Sequence, residues 1–167
     1  SGGLHGVGMA VVCALSENLV ATSRRDGFEW SQTYSRGKPT TKLQKGKAAR
    51  NYGTTVCFKA DGQIFPKTEF NPKLILERAE SKAFLNKGLK IIVYENNNTH
   101  EFHYPDGIQD YIKKIVGQKT TLMEKPFYVE KEDKLLRLET AFLWTPSTDT
   151  QILSFANSIR TIDGGTH

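Results

Sequence analysis

The chain has 167 residues, 38% of them apolar and 25% charged, with a formal net charge of +5 and a pI near 9.2. That balance excludes a disordered or low-complexity chain, and no run approaches the roughly 18 apolar residues of a membrane helix. The length fits one domain, or one domain and part of a second, and predicts a sizeable buried core; the excess of Lys and Arg, with acidic residues read as interspersed, predicts a mixed solvated surface.

In chain order, a glycine-rich opening, "SGGLHGVG", precedes an apolar stretch. From Val7 to Glu17 nearly every residue is apolar, which predicts a buried helix. Two strand-like runs follow, "LVATSRR" and "FEWSQTYS", joined by Asp26-Gly27, a pair suited to the positive φ angles of a type I′ hairpin turn. The basic stretch "RGKPTTKLQKGKAARNYG" has Gly, Pro and Lys without an apolar period, and is predicted to be mostly exposed loop. "TTVCFKA" then reads as a strand. Cys13 and Cys57 lie in apolar stretches and form no CxxC, so both are expected to be buried, reduced thiols.

Asn71-Pro72 starts the clearest amphipathic helix: Asn caps it and Pro occupies the first turn, with Ile75, Leu76, Ala79 and Ala83 on one face and Gly88 as the stop. "LKIIVYE" and "THEFHYP" predict a hairpin turning at Asn96 to Asn98. Asp106, with Gln109 three residues on, predicts the cap of a short helix whose face is Ile108, Tyr111, Ile112 and Ile115, ended by Gly117. After the polar link "QKTTLME" come three predicted strands, "PFYVEKE", "LLRLETAFLW" and "QILSFANSI". A domain boundary is placed at that link, because helices and strand pairs alternate before it and only strands follow.

Glycines ahead of a helix let the backbone take positive φ and approach a ligand closely. A helix N-terminus offers unpaired N–H groups and a partial positive charge, so the two together make a site for phosphate oxygens. The opening is neither a Walker loop, which ends in Gly-Lys-Ser/Thr, nor a dinucleotide fingerprint, which follows a strand. By pattern alone, a plain glycine turn before a helix explains it equally well.

"SGGLHGVG" followed by "VVCALS" resembles the nucleotide-binding lid and following helix of the gyrase B and topoisomerase IV B family, within the GHKL ATPases. "GTTVCF", "TEF", "AFLNKGLKI", "FHYPDGI" and "SFANSIRTIDGGTH" resemble successive landmarks of the same family, in order, so the resemblance covers essentially the whole chain. It implies an α+β fold: an incomplete GHKL (Bergerat) α/β sandwich with a mixed, mostly antiparallel sheet over residues 1–120. The first strands of a ribosomal S5-like transducer domain would follow over 121–167.

The resemblance further implies an ATP site in which the backbone of Gly3, Leu4, His5, Gly6, Val7 and Gly8 wraps the triphosphate and Thr54 reaches the adenine pocket, with Gly53 allowing close approach of the base. It implies ATP and Mg2+ as cofactors, and DNA, the gyrase A protein in an A2B2 assembly and a second copy of the ATPase gate as partners. The setting would be cytoplasmic, without a membrane. The activity would be that of a type II topoisomerase, with ATP binding and hydrolysis driving strand passage and negative supercoiling, or decatenation in a topoisomerase IV. No catalytic or metal residue is assigned within the 167 residues: the glutamate that activates water, the asparagine that holds magnesium and the aspartate that binds adenine are expected on a segment before Ser1. Two positions depart from the family's pattern, Cys13 where Asn is common and Ser31 where Arg is common.

Two rival readings stand beside it, a basic nucleic-acid-binding module resting on Arg36 to Arg50 and a GHKL protein of another kind. With the general base expected elsewhere, the 167-residue chain alone should show no ATP turnover in a phosphate-release assay; clear hydrolysis abolished by changing His5 would overturn that expectation.

Overall fold

In the computed structural model, which describes residues 5–162, the chain divides into two compact units, one up to Phe70 and one from Asn71 on. In the first unit, helix α1 (Gly8–Ala14) leads directly into strand β1 (Ser16–Arg25). Asp26 and Gly27 both take positive φ, 54° and 81°, and turn β1 into β2 (Phe28–Ser35), the hairpin turn expected of that pair. A second pair of the same kind, Arg36 (φ 49°) and Gly37 (φ 81°), turns β2 into the short β3 (Lys38–Pro39). Strand β4 (Gln44–Ala48) returns along the same outer edge of β2, and β5 (Gly53–Ala60) pairs antiparallel with the other side of β1. The sheet order is thus β3-β2-β1-β5, with β4 also on β2, and every pairing is antiparallel.

Three expectations for this unit are corrected. The apolar helix is seven residues long, and its side chains are largely exposed: Val7 is 51%, Met9 55% and Val11 48% accessible. From Ser16 the chain is drawn into the ladder with β5, so the helix stops at Ala14, short of the Glu17 expected. Much of the predicted loop after Arg36 is strand. β4 is exposed along its whole length, so both its faces are wet and no apolar period marks it. Cys13 is half-buried and Cys57 exposed on β5, which has a neighbour only on its β1 side among the described residues.

In the second unit, α2 (Pro72–Phe84) begins as expected, with the Asn71 side chain accepting from the Leu74 N–H at 3.4 Å and Pro72 in the first turn. It packs on the hairpin of β6 (Lys90–Glu95) and β7 (Asn98–His103), which turns at Asn96 (φ 51°). Helix α3 (Ile108–Val116) follows. Asp106 does not cap it. Gly107, at φ 60°, is the N-cap residue, and the Asp106 N–H instead donates to the Asp110 side chain at 2.8 Å. Strands β8 (Phe127–Glu132) and β9 (Arg137–Phe142) pair as a hairpin. The last predicted strand is itself a tight hairpin of β10 (Phe155–Ala156) and β11 (Ile159–Arg160), because Asn157 and Ser158 both take positive φ.

The buried apolar set is small. Among the described residues only Leu19, Ala83 and Phe84 are apolar and buried, so the sizeable core expected from chain length is absent from the described residues. Two thin units, each a sheet or hairpin set with helices on part of it, leave many apolar side chains in contact with water. Phe84 is the centre of the second unit: it stacks on Tyr111 with ring centres 3.7 Å apart and meets Tyr104 and Phe155 edge-on at 6.2 and 5.6 Å. Removing a buried ring of this kind costs about 3–5 kcal/mol. Phe84→Ala is therefore expected to destabilise the second unit by that amount in urea unfolding, followed through its tyrosine fluorescence.

Candidate functional site

The first described residues, His5, Gly6 and Val7, lead into α1. Gly3 and Leu4, like the closing "DGGTH", lie outside the described residues. Gly6 holds φ 67°, a conformation glycine adopts without strain, and a Cβ at Gly6 or at Gly8 would meet no atom of the described residues within 4 Å. Val7 stands at the N-cap with no side-chain hydrogen bond to the helix, and no acidic residue lies in the first turn. The N–H groups of that turn have no intrahelical acceptor by construction, and the helix end carries partial positive charge. Among the described residues this end of α1 is therefore without a side-chain cap, and its partial positive charge suits an anion.

The other end is held from several sides. The Ser16 hydroxyl donates to the Val12 carbonyl at 2.6 Å, the Gly37 N–H to Cys13 at 3.0 Å, the Asp61 N–H to Leu15 at 3.0 Å and the Arg36 N–H to Ser16 at 2.8 Å. The side chains of Arg36 and Asp61 meet each other as well. Arg36 Nε donates to Asp61 Oδ2 at 2.5 Å and a second guanidinium nitrogen to Oδ1 at 3.3 Å, while the Gln63 N–H donates to Oδ1 at 3.0 Å. The Asp61 side chain is 2% exposed. The Arg36 guanidinium first, and the Gln63 amide second, hold its carboxyl below the usual aspartate range. Reading the sequence missed this pair; the sign that could have found it is the Arg36-Gly37 turn, whose first residue must be held in place to keep a positive φ.

Thr54 is exposed near the start of β5, opposite Ser23 of β1. Opposing residues share a face, so Thr54 lies in one row with Ser23 and Trp30, and Ser31 lies in the next row with Thr22 and Thr55, on the other face. Gly53, at φ 155°, admits a close neighbour, and that neighbour is the Arg24 guanidinium: a Cβ would come 3.2 Å from it. Helix α1 sits against β1 and β2, while Thr54 is on β5; β1 is the element common to both. Among the described residues no three His, Cys, Asp or Glu side chains gather into a metal-binding group.

A family model described as DNA gyrase B matches residues 107–167. The DNA gyrase B protein of Clostridium acetobutylicum is 39% identical over 170 residues, covering all of this chain and 27% of the relative. The 43K ATPase domain of Thermus thermophilus gyrase B, solved in complex with an aminocoumarin, superposes with a TM-score of 0.86 at 32% identity, over 93% of this chain and 44% of that one. Over its whole length the chain is similar to DNA gyrase B proteins. The DNA topoisomerase 4 B protein of Bacillus subtilis also matches the whole chain, at 42% identity over 170 residues and 26% of the relative's length. The gyrase B protein of Myxococcus xanthus shares the fold, with a TM-score of 0.84 at 23% identity, over 92% of this chain and 46% of that one. The chain thus spans about a quarter of the length of the curated relatives it matches. The α+β fold of the ATPase domain is the one expected from the gyrase B-like landmarks.

The Asp61 carboxylate sets an acid limit for the anchored end. Its pKa is lower in the folded chain than the roughly 3.9 of an unfolded aspartate, so its contribution is complete above about pH 5 and is lost as pH falls through the folded value. Asp61→Asn is expected to lower the urea midpoint at pH 7 and to flatten its decline between about pH 5 and pH 2. An unchanged acid profile would show that the pair does not carry this dependence.

Proposed function

We propose that this chain forms part of the ATP site of a type II topoisomerase of the gyrase B kind and runs from the ATPase domain (residues 1–120) into the start of a transducer domain (121–167). The observation that carries the reading is the asymmetry of α1: an uncapped, acid-free N-terminus behind a positive-φ glycine, on a scaffold whose solved counterpart is a gyrase ATPase domain. The backbone N–H groups of Gly3, Leu4, His5, Gly6, Val7 and Gly8 would hold the triphosphate, and Thr54 would reach the base. ATP supplies the free energy that the lid converts into closure. The chain's own part is to bind, to orient and to exclude water. Mg2+ would accompany the nucleotide, with its protein ligand outside these 167 residues.

In the assembled enzyme, closure of the lid would bring two such chains together, and strand passage through DNA would follow in an A2B2 complex in the cytoplasm. The large exposed apolar side chains, Met9, Val11 and Phe58 among them, fit a chain that covers 44% of the ATPase-domain structure it superposes on. A topoisomerase IV reading, with decatenation in place of supercoiling, stands beside it on the 42% identity to the Bacillus subtilis protein, an identity that a gyrase B relative equals.

An L-residue at φ near 67° carries a strain of about 1–2 kcal/mol, close to one factor of ten in affinity. In the full-length protein, Gly6→Ala is expected to weaken binding of a non-hydrolysable ATP analogue about tenfold by calorimetry. An unchanged Kd would remove the lid from the site.

A further inference from the structure

The positive charge of this chain is not interspersed. From Trp30 to Ala60 there is no Asp or Glu, whereas Arg36, Lys38, Lys42, Lys45, Lys47, Arg50 and Lys59 all lie there. Those seven leave 16 Lys and Arg against all 18 Asp and Glu in the rest of the chain, so the whole excess of +5 comes from this one segment.

The fold lays most of that segment out as a ribbon. β3 and β4 both pair with the outer edge of β2, and β4 has no partner on its other side among the described residues. The connection between them is fixed to β2 by three hydrogen bonds: the Thr40 N–H to the Thr33 carbonyl at 2.8 Å, the Thr33 N–H to the Thr41 hydroxyl at 3.0 Å and the Gln32 side-chain amide to the Thr41 carbonyl at 3.0 Å. The Ala49 N–H donates to Gly27 at 2.9 Å and ties down the far end. Lys38, Lys42, Lys45, Lys47 and Arg50 are exposed on this fixed backbone. Lys45 lies over the Phe28 ring, 3.4 Å from its centre, with Trp30 beyond it at 5.9 Å. A bulge opposite Glu29 then puts Lys47 on the other face, where its contact with Glu29 is a loose 3.8 Å at a 78% exposed lysine. Cations on both faces of one edge, with a single weakly engaged carboxylate, make a ridge of uncompensated charge.

We propose that the β3–β4 ribbon is a docking surface for the phosphate backbone of duplex DNA, binding without regard to sequence. The partner is chosen by chemistry. β4 is Gln-Lys-Gly-Lys-Ala, and the ribbon offers a single large exposed apolar side chain, Leu43, where entry into a lipid surface calls for an apolar face; lysines are point charges suited to phosphates in any register. The ribbon takes no part in the nucleotide site, so the inference does not rest on the ATP reading.

The test uses the 167-residue chain, without nucleotide, and a mixed-sequence duplex of about 30 base pairs followed by fluorescence anisotropy between about 50 and 200 mM salt. Each lost phosphate contact lowers the slope of log K against log salt by about 0.9. K42A/K45A/K47A/R50A is therefore expected to reduce that slope by about 3–4 and to weaken binding about 10- to 100-fold at the lowest salt. K119A/K125A/K131A/K134A removes the same charge from exposed positions elsewhere and is expected to leave binding within about twofold. K42R/K45R/K47R, which keeps the charge, is expected to retain slope and affinity, and gives a readout should the alanine variant fail to fold. Equal losses in the two alanine variants, or an unchanged slope in the first, would overturn the assignment. So would binding to phosphatidylserine vesicles with none to the duplex.

Discussion

The first unit is organised around a single buried carboxylate. Asp61 receives Arg36 and the Gln63 amide on its side chain, sends its own N–H to Leu15, and accepts on its carbonyl from Ile64 and Phe65 at 3.0 and 2.9 Å. The end of α1, the start of β1, the β2–β3 turn and the exit from β5 therefore meet at one residue. A buried ion pair is a poor ground for claiming net stability, since desolvation opposes it. What it supplies here is registration. Arg36 reaches Asp61 only because Arg36-Gly37 forms a tight turn, and Gly37, at φ 81°, leaves little room for a side chain: a Cβ there would stand 3.3 Å from the Cα of Ala14. The turn, the helix end and the carboxylate fix one another.

This interlock explains what can be read from the sequence and what cannot. Asp26-Gly27, Asn71-Pro72 and Gly117 are local devices, in which the residue's own dihedral or hydrogen-bonding preference decides the structure, and each is found where the sequence places it. Arg36 with Asp61 joins residues 25 apart through a non-local packing event, and no periodicity announces it. β4 escapes notice because edge strands that face water on both sides carry no alternation. The length of α1 is overread because an apolar run does not say where a helix gives way to a ladder; the pairing of β1 with the later strand β5 decides that. At Asp106 the local signal is real but displaced by one residue, since the positive φ of Gly107 moves the helix start. Of the proposed site, the glycine-loop residues Gly6 to Gly8 are legible as a type, because an anion site made of main-chain amides would need only glycine and a helix end. The placement of Ser31 is not legible: its face follows from register, and the register places it in the row of Thr55 rather than that of Thr54.

Charge is segregated in the same unit in a way that composition conceals. A net +5 spread over 167 residues would be unremarkable, but +7 within the 31 residues from Trp30 to Ala60, most of them on an edge fixed to β2, is a local field. Carboxylates from outside the segment engage two of the seven, and neither of the two belongs to the ribbon: Glu17 pairs with Lys59 at 2.9 Å, and Asp61 with Arg36. The ribbon is left with Glu29 alone, at 3.8 Å from Lys47.

The two ends of α1 give the nucleotide reading its energetic logic. An isolated helix of seven residues is far below the roughly 12–15 needed for marginal stability in water. Its order must come from outside itself, and among the described residues Ser16, Gly37, Asp61 and Arg36 supply that order at its C-terminal end. At the other end the described residues supply no side-chain cap, so among them the helix is least secured at the end where the proposed reading puts a phosphate. In the proposed reading, an anion there would complete the set of partners that the helix lacks, and the free energy of binding would be shared with the free energy of ordering the loop. A site preformed at both ends would bind more tightly but would have no order left to gain. In that reading, one end fixed and the other left to the ligand would let the same residues serve as an anchor and as a moving part.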